Sequence, residues 1–243
     1  MEQAQLPLHV AIIPDGSRRW ARERGKPEFE GYIEGAKRFR EIGRVAFEEG
    51  IRYFTFWVIS DNNLRERDPA KVTQLVSLFR RELETRRTLV NCLKNEIRFR
   101  TLGSWNRIVN NQRLLNAIQA LQERTKEFNR RYLTILFGYS GVHEMVEAIK
   151  MICKLPPGSI ERFNEEVLKK ALWTRDLPPV DLIIRTGACE EGSYWSHNSL
   201  GFMMLLAANA KTYSPPTLWP DFTVEMFRQA VTDYSKAPRR FGA

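Results

Sequence analysis

With 243 residues, 43% of them hydrophobic and 28% charged, the chain can bury a substantial core, and its composition excludes a disordered or fibrous protein. It shows no bilayer-spanning apolar run, no secretory h-region, no low-complexity tract and no internal repeat, so one cytoplasmic domain over 1–243 is expected. The net charge of +9 points to anionic partners, yet the cations are spread along helical patterns such as RRELETRR (80–87) and ERTKEFNRR (123–131), which read as solvated faces. There is no aromatic-interleaved RNA motif and no zinc-finger spacing, so nucleic acid is not expected as a partner.

His9–Ile13 (HVAII) reads as a buried strand, and a helix is expected to start near Ser17. Gly31–Glu49 reads as an amphipathic helix, with Ala36, Phe39, Val45 and Ala46 near helical spacing and Gly50 as its stop. Tyr53–Ile59 is a continuous apolar strand, Ala70–Cys92 a helix, Ile97–Leu102 a strand and Gln112–Phe128 a helix. Leu133–Phe137 is the next strand and Val142–Cys153 the next helix. A Pro-Pro-Gly turn at 156–158 leads to a helix over Ile160–Leu172, and Pro178-Pro179 precedes a strand over Asp181–Arg185. Alternating β and α with fully apolar strands predicts an α/β fold, a mostly parallel central sheet flanked by helices. Cys92, Cys153 and Cys189 lack metal-ligand spacing and read as free thiols.

Sites in such folds gather at the carboxyl ends of strands, and three polar clusters fall there. PDGSRRW places Asp15 at the end of the first strand, with Gly16 permitting close approach to the backbone. Arg18, Arg19 and Arg22 supply anion-binding charge; Mg²⁺ would reconcile the carboxylate with a diphosphate. Taken alone, the segment fits an Asp–Arg ion pair at a helix start equally well. SDNNLRERD offers Ser60 and Asn63 with Arg65 and Arg67, although Ser and Asn at strand ends are more often turn-makers. RTGACEEGSYWSHNS offers Arg185 and His197, the latter equally a solvated loop histidine, with Glu190 and Glu191 read as surface acids. The terminal PRRFGA has the composition of a disordered tail.

Together these segments resemble the cis-prenyltransferase family, the undecaprenyl diphosphate synthase-like enzymes. The family opening H-x-A-I-I-M-D-G-N-x-R-W-A is matched by HVAIIPDGSRRWA, and S-[ST]-E-N-W-x-R-P by SDNNLRERDP with one extra residue. PPVDLIIRTGA, LWPDF (218–222) and RRFGA (239–243) follow in the family's order. The resemblance covers essentially the whole chain. It implies a hydrophobic prenyl-binding tunnel and a reaction in which an allylic diphosphate leaves with help from Mg²⁺ and cations while a second isoprenoid attacks. Residue by residue, it implies that Asp15 holds the metal and diphosphate. Gly16, Ser17, Arg18, Arg19 and Trp20 would form the allylic-diphosphate loop, with Tyr32 in the segment after it. Ser60 and Asn63 would lie near the reacting carbon, Asn63 as proton relay, with Asn62 and Arg67 beside them. Arg185, His197 and Ser199 would hold the second diphosphate. Arg240 and Gly242 would reach a partner subunit's site, which implies a homodimer, and the lipid character of long products adds peripheral membrane contact as an expectation.

Departures from the family pattern are concentrated. Ser17 stands for Asn, Glu28 for Arg, Tyr32 for His, Asn62 for Glu and Leu64 for Trp. The R-x-S element becomes His197-Asn198-Ser199, and the second metal carboxylate of the Y-[SA]-E-L-Y context aligns with Ala210. The ionisation side, Asp15 with Arg19, is kept. This pattern resembles the divergent branches of lavandulyl-type synthases and tuberculosinol-type diterpene synthases. The expected activity is therefore non-standard prenyl transfer, with a terpene synthase, ordinary cis-polyprenyl elongation and an inactive partner subunit as alternatives.

Overall fold

The computed structural model describes residues 5–156, 163–188 and 201–237. Its centre is one six-stranded sheet: β1 (His9–Ile13), β2 (Tyr53–Ser60), β3 (Ile97–Leu102), β4 (Arg131–Tyr139), β5 (Leu182–Arg185) and β6 (Lys211–Tyr213). Every pairing is parallel, in the order β3-β4-β2-β1-β5-β6. The flanking helices are α1 (Ser17–Glu23), α2 (Glu28–Glu48), α3 (Asp61–Glu66), α4 (Pro69–Glu84), α5 (Arg86–Lys94), α6 (Trp105–Ile108), α7 (Gln112–Thr125), α8 (Gly141–Ile152), α9 (Glu165–Ala171) and α10 (Val224–Lys236).

Alternation along the strands divides the core. Val10 and Ile12 of β1 join Phe54, Phe56, Leu182 and Ile184 under α2, α4, α7 and α10, whereas Ala11 joins Leu136, Ile183, Phe202 and Met203 on the opposite face. Both faces are covered, which is why the strands are apolar throughout. β1 begins with a buried polar anchor. His9 Nδ1 lies 2.9 Å from the Pro178 carbonyl, an acceptor only, so Nδ1 carries the proton and Nε2 accepts from the Thr55 hydroxyl at 2.8 Å.

The first five strands match the sequence reading, with β2 longer by Ser60, β4 longer at both ends and β5 starting at Leu182 rather than Asp181. α2 starts at Glu28 rather than Gly31, directly after Pro27. The helix expected over 70–92 is two: Thr85 adopts extended backbone (φ −67°, ψ 135°), and its hydroxyl accepts from the Thr88 N–H, starting α5 afresh. α3, α6, β6 and α10 had no counterpart in the sequence reading. Part of the helix expected over Ile160–Leu172 lies outside the described residues, and α9 accounts for Glu165–Ala171.

Candidate active site

β1 has β2 on one side and β5 on the other, and the loops leaving β1 and β5 meet at their carboxyl ends, where open α/β sheets bind ligands. Gly16, at φ +103°, turns the chain from β1 into α1; a Cβ there would stand 2.7 Å from Leu218 Cδ2. The Asp15 carbonyl accepts from the Trp219 N–H and the Thr186 hydroxyl, both at 3.0 Å, which stitches this loop to β5 and to LWPDF. The Asp15 carboxylate lies 3.7 Å from Arg19 Nη2 and 3.5 Å from Arg185 Nη2. Arg185 is buried at the end of β5, and Arg19 also donates to the Gly187 carbonyl.

α1 approaches α2 through glycine. A Cβ on Gly31 would lie 2.0 Å from the Ser17 carbonyl oxygen, and one on Gly35 would lie 3.0 Å from Trp219 Cδ1. That close crossing sets Arg18, Arg19 and Arg22 at the mouth of a cavity of about 330 Å³. The body of the cavity is apolar, walled by Phe39 of α2, Leu75 and Phe79 of α4, and Phe56, Leu133 and Ile135 of the sheet. Arg67 completes the mouth, with Nη1 at 3.2 Å from the Tyr32 hydroxyl and a buried Nε that has no hydrogen-bond partner. Burial lowers its pKa from the usual arginine value, meaning that its charge is poorly solvated where it stands. Four guanidiniums facing one carboxylate leave an excess of positive charge suited to a multiply charged anion. Among the described residues no three His, Cys, Asp or Glu converge as a metal cage.

Of the residues singled out in the sequence, Asp15, Gly16, Ser17, Arg18, Arg19, Tyr32 and Arg67 line this cavity, with Arg185 adjoining through Asp15. Trp20 does not. It is a buried residue of α1, donates to Asp221 Oδ1 at 2.7 Å and carries the Arg24 guanidinium over its ring, so it fastens LWPDF to α1. Ser60 accepts the Asn63 N–H at 3.1 Å, capping α3, while the exposed Asn62 and Asn63 stand outside the cavity wall. Arg65 is drawn to the buried Asp61 at 3.1 Å. His197, Ser199, Arg240 and Gly242 lie outside the described residues.

Ala210 directly precedes β6, whose first residue, Lys211, donates from Nζ to the Ala237 carbonyl at 2.8 Å, beyond α10. The sequence reading passed over Thr186 and Gly187, which fix Asp15 and Arg19, and Arg40 and Glu82, which line the cavity.

Residues 13–242 match the model of a family described as putative undecaprenyl diphosphate synthase. The chain is 35% identical to an isoprenyl transferase of Thermotoga maritima over 98% of this chain and 97% of that one. It is 34% identical to a geranylgeranyl-diphosphate-specific tritrans,polycis-undecaprenyl-diphosphate synthase of Methanocaldococcus jannaschii, over 100% and 85%. Among solved structures, lavandulyl diphosphate synthase from Lavandula x intermedia, in complex with dimethylallyl diphosphate, superposes with a TM-score of 0.87 at 25% identity over 98% and 99% of the two chains.

Proposed function

The chain belongs to the undecaprenyl diphosphate synthase family and is a prenyltransferase acting on isoprenyl diphosphates, and from that premise we propose that it ionises a short allylic diphosphate and joins the cation to a second isoprenoid in an irregular condensation. The observation that carries this reading is the single carboxylate, Asp15, set between Arg19 and Arg185 at the mouth of an apolar cavity of about 330 Å³.

The C1–O bond of the donor breaks with both electrons leaving on the diphosphate. Arg18, Arg19, Arg22 and Arg67 stand where that charge accumulates, and fixed cations at a leaving group lower the barrier to its departure. Asp15 suits Mg²⁺ held jointly with the substrate. Its oxygens lie beyond hydrogen-bond length from both guanidiniums, and a bound diphosphate and water would supply the further oxygens a magnesium ion needs. Bound there, Mg²⁺ would draw negative charge from the leaving diphosphate. Arg185, with Ser199 and His197, is assigned to the second diphosphate. The Ser60 oxygen accepts the Asn63 N–H, which leaves its own proton available beside the Asn63 amide proposed as relay. Arg240 and Gly242 would complete a neighbouring subunit's site in a homodimer of single-domain subunits.

The irregular course is favoured by Tyr32, Leu64 and Ala210, all differing from the chain-elongating pattern on the acceptor side, and by the likeness to lavandulyl diphosphate synthase. The test is turnover of dimethylallyl, geranyl, farnesyl and geranylgeranyl diphosphates with Mg²⁺, each with and without isopentenyl diphosphate. A branched diphosphate product from allylic substrate alone is expected. Linear products formed only with isopentenyl diphosphate would establish ordinary elongation, and a released alcohol or hydrocarbon would establish a synthase.

A further inference from the structure

α2 and α4 run side by side in the same direction, tied twice by charge. Glu28 pairs with Lys71 at 2.8 Å near their N-termini, and Arg40 pairs with Glu82 at 2.8 Å farther along. The two ties are 12 residues apart on α2 and 11 on α4, so at 1.5 Å per residue the helices stay in step over about 17 Å. Between the ties, the two helices enclose the cavity. Tyr32 of α2 stands at its mouth beside Arg67; Arg40 lies about 12 Å deeper along the same helix.

Arg40 and Glu82 both line the cavity, although everything between them and the mouth on the α4 side is Leu75, Leu78 and Phe79. Their side chains are only 27% and 28% exposed. The end of α4 is itself fixed: the Glu82 carbonyl accepts from the Thr85 and Thr88 hydroxyls at 2.9 and 2.7 Å, and Thr88 also lines the cavity. The apolar bore thus ends in a polar, anchored group. A hydrocarbon tip arriving there must either strip water from an ion pair or force the two charges apart, and each costs free energy that no apolar contact returns.

We propose that the Arg40–Glu82 ion pair is the floor of the prenyl cavity and sets the longest chain that the enzyme accommodates. The proposal rests on the prenyl-transfer reading and adds the residues that determine chain length within it. Both residues stand away from the arginines at the mouth, so their effect falls on length and not on ionisation.

The experiment measures calorimetric affinity for saturated n-alkyl diphosphates of graded length, which cannot ionise, on the wild-type protein and three variants. Wild-type affinity is expected to rise with length to a cut-off and then to fall about tenfold, the cost of driving the chain tip against the ion pair. In Arg40→Ala/Glu82→Ala the cut-off moves out by one isoprene length or more, and in Arg40→Glu/Glu82→Arg, which rebuilds the pair reversed, it returns. Glu82→Ala alone, the mildest change, moves it in the same direction and serves if the double variant does not fold. An identical cut-off in wild-type protein and a folded Ala variant overturns the proposal. Turnover is read separately: a moved cut-off with no allylic turnover in any protein would sink the transfer reading and leave the floor standing.

Discussion

Asp15 is held at ion-pair rather than hydrogen-bond distance from Arg19 and Arg185, 3.7 and 3.5 Å, and its two neighbours are themselves fixed, Arg19 by the Gly187 carbonyl and Arg185 by burial in β5. A carboxylate whose only duty was to neutralise those arginines would be expected to close on them. Left open and 45% exposed, it keeps lone pairs for a further ligand. Asp15→Asn preserves size and removes charge. Turnover of the preferred allylic diphosphate should fall by about 100-fold or more, the scale of losing one preorganised electrostatic contact at a leaving group. The unfolding free energy should move by only about 1–2 kcal/mol, because Asp15 and Arg19 are partly solvated although Arg185 is buried. Normal turnover in Asp15→Asn would remove the metal–diphosphate reading. Glu28 shows the opposite case of a residue whose oddity is structural. Its carboxyl hydrogen-bonds Lys71, which holds its pKa below the usual glutamate value, so the reversed sign at this position serves the α2–α4 tie.

At the scale of elements, the site depends on how closely α1 lies on α2. Gly31 meets backbone, 2.0 Å from its virtual Cβ, whereas Gly43, three turns along the same helix, meets only the Phe54 ring edge at 3.6 Å. Gly31→Ala must therefore displace Ser17 and the Asp15–Gly16 loop, with a cost of several kcal/mol in thermal or denaturant unfolding and a parallel loss of diphosphate affinity. Gly43→Ala should gain up to about 1 kcal/mol from helix propensity and leave affinity unchanged. Equal effects of the two substitutions would mean that the crossing does not set the loop. The sheet was legible because buried parallel strands write themselves as apolar runs, and Asp15, Arg19 and Arg185 because strand ends are where such folds place ligands. The break at Thr85 was not legible: the helical pattern continues through ETRRTL, and only the Thr85 hydroxyl, capping Thr88, divides it. Glu82 was hidden for a related reason. In RRELETRR one acid among arginines looks solvated, and nothing local reveals that Arg40, 42 residues earlier, turns it into the cavity wall. Trp20 was misleading in the other direction, since its place in a binding-loop motif says nothing of Asp221, 201 residues away, to which it is bonded.

Across the whole molecule, the His9 side chain adds a buried tie where backbone bonds from the Tyr53 N–H to the Leu8 carbonyl and from the Asp181 N–H to the His9 carbonyl already join three segments. Its ring spans from Thr55 in β2 to the Pro178 carbonyl before β5, fully buried at the start of the central strand. Burial lowers its pKa from 6.5 to about 4, outweighing the carbonyl contacts and Asp181, which raise it. The sign of the consequence follows from linkage. Above pH 6.5 the ring is neutral in both folded and unfolded chains, so its contribution is fully present. Between 6.5 and about 4 the unfolded chain takes up a proton that the folded chain refuses, and stability falls as the pH falls. A shift of this size corresponds to about 3 kcal/mol across the window. Protonation also turns Nε2 into a donor, which opposes its acceptor role toward the Thr55 hydroxyl unless that hydroxyl rotates. Denaturant unfolding followed from pH 7 to pH 4 should therefore show a loss on this scale in the wild-type protein. His9→Gln, which can donate and accept but cannot titrate, should be less stable at pH 7 and should lose less over the same range. Parallel pH profiles for the two proteins would place the acid sensitivity in carboxylates elsewhere and leave His9 as packing alone.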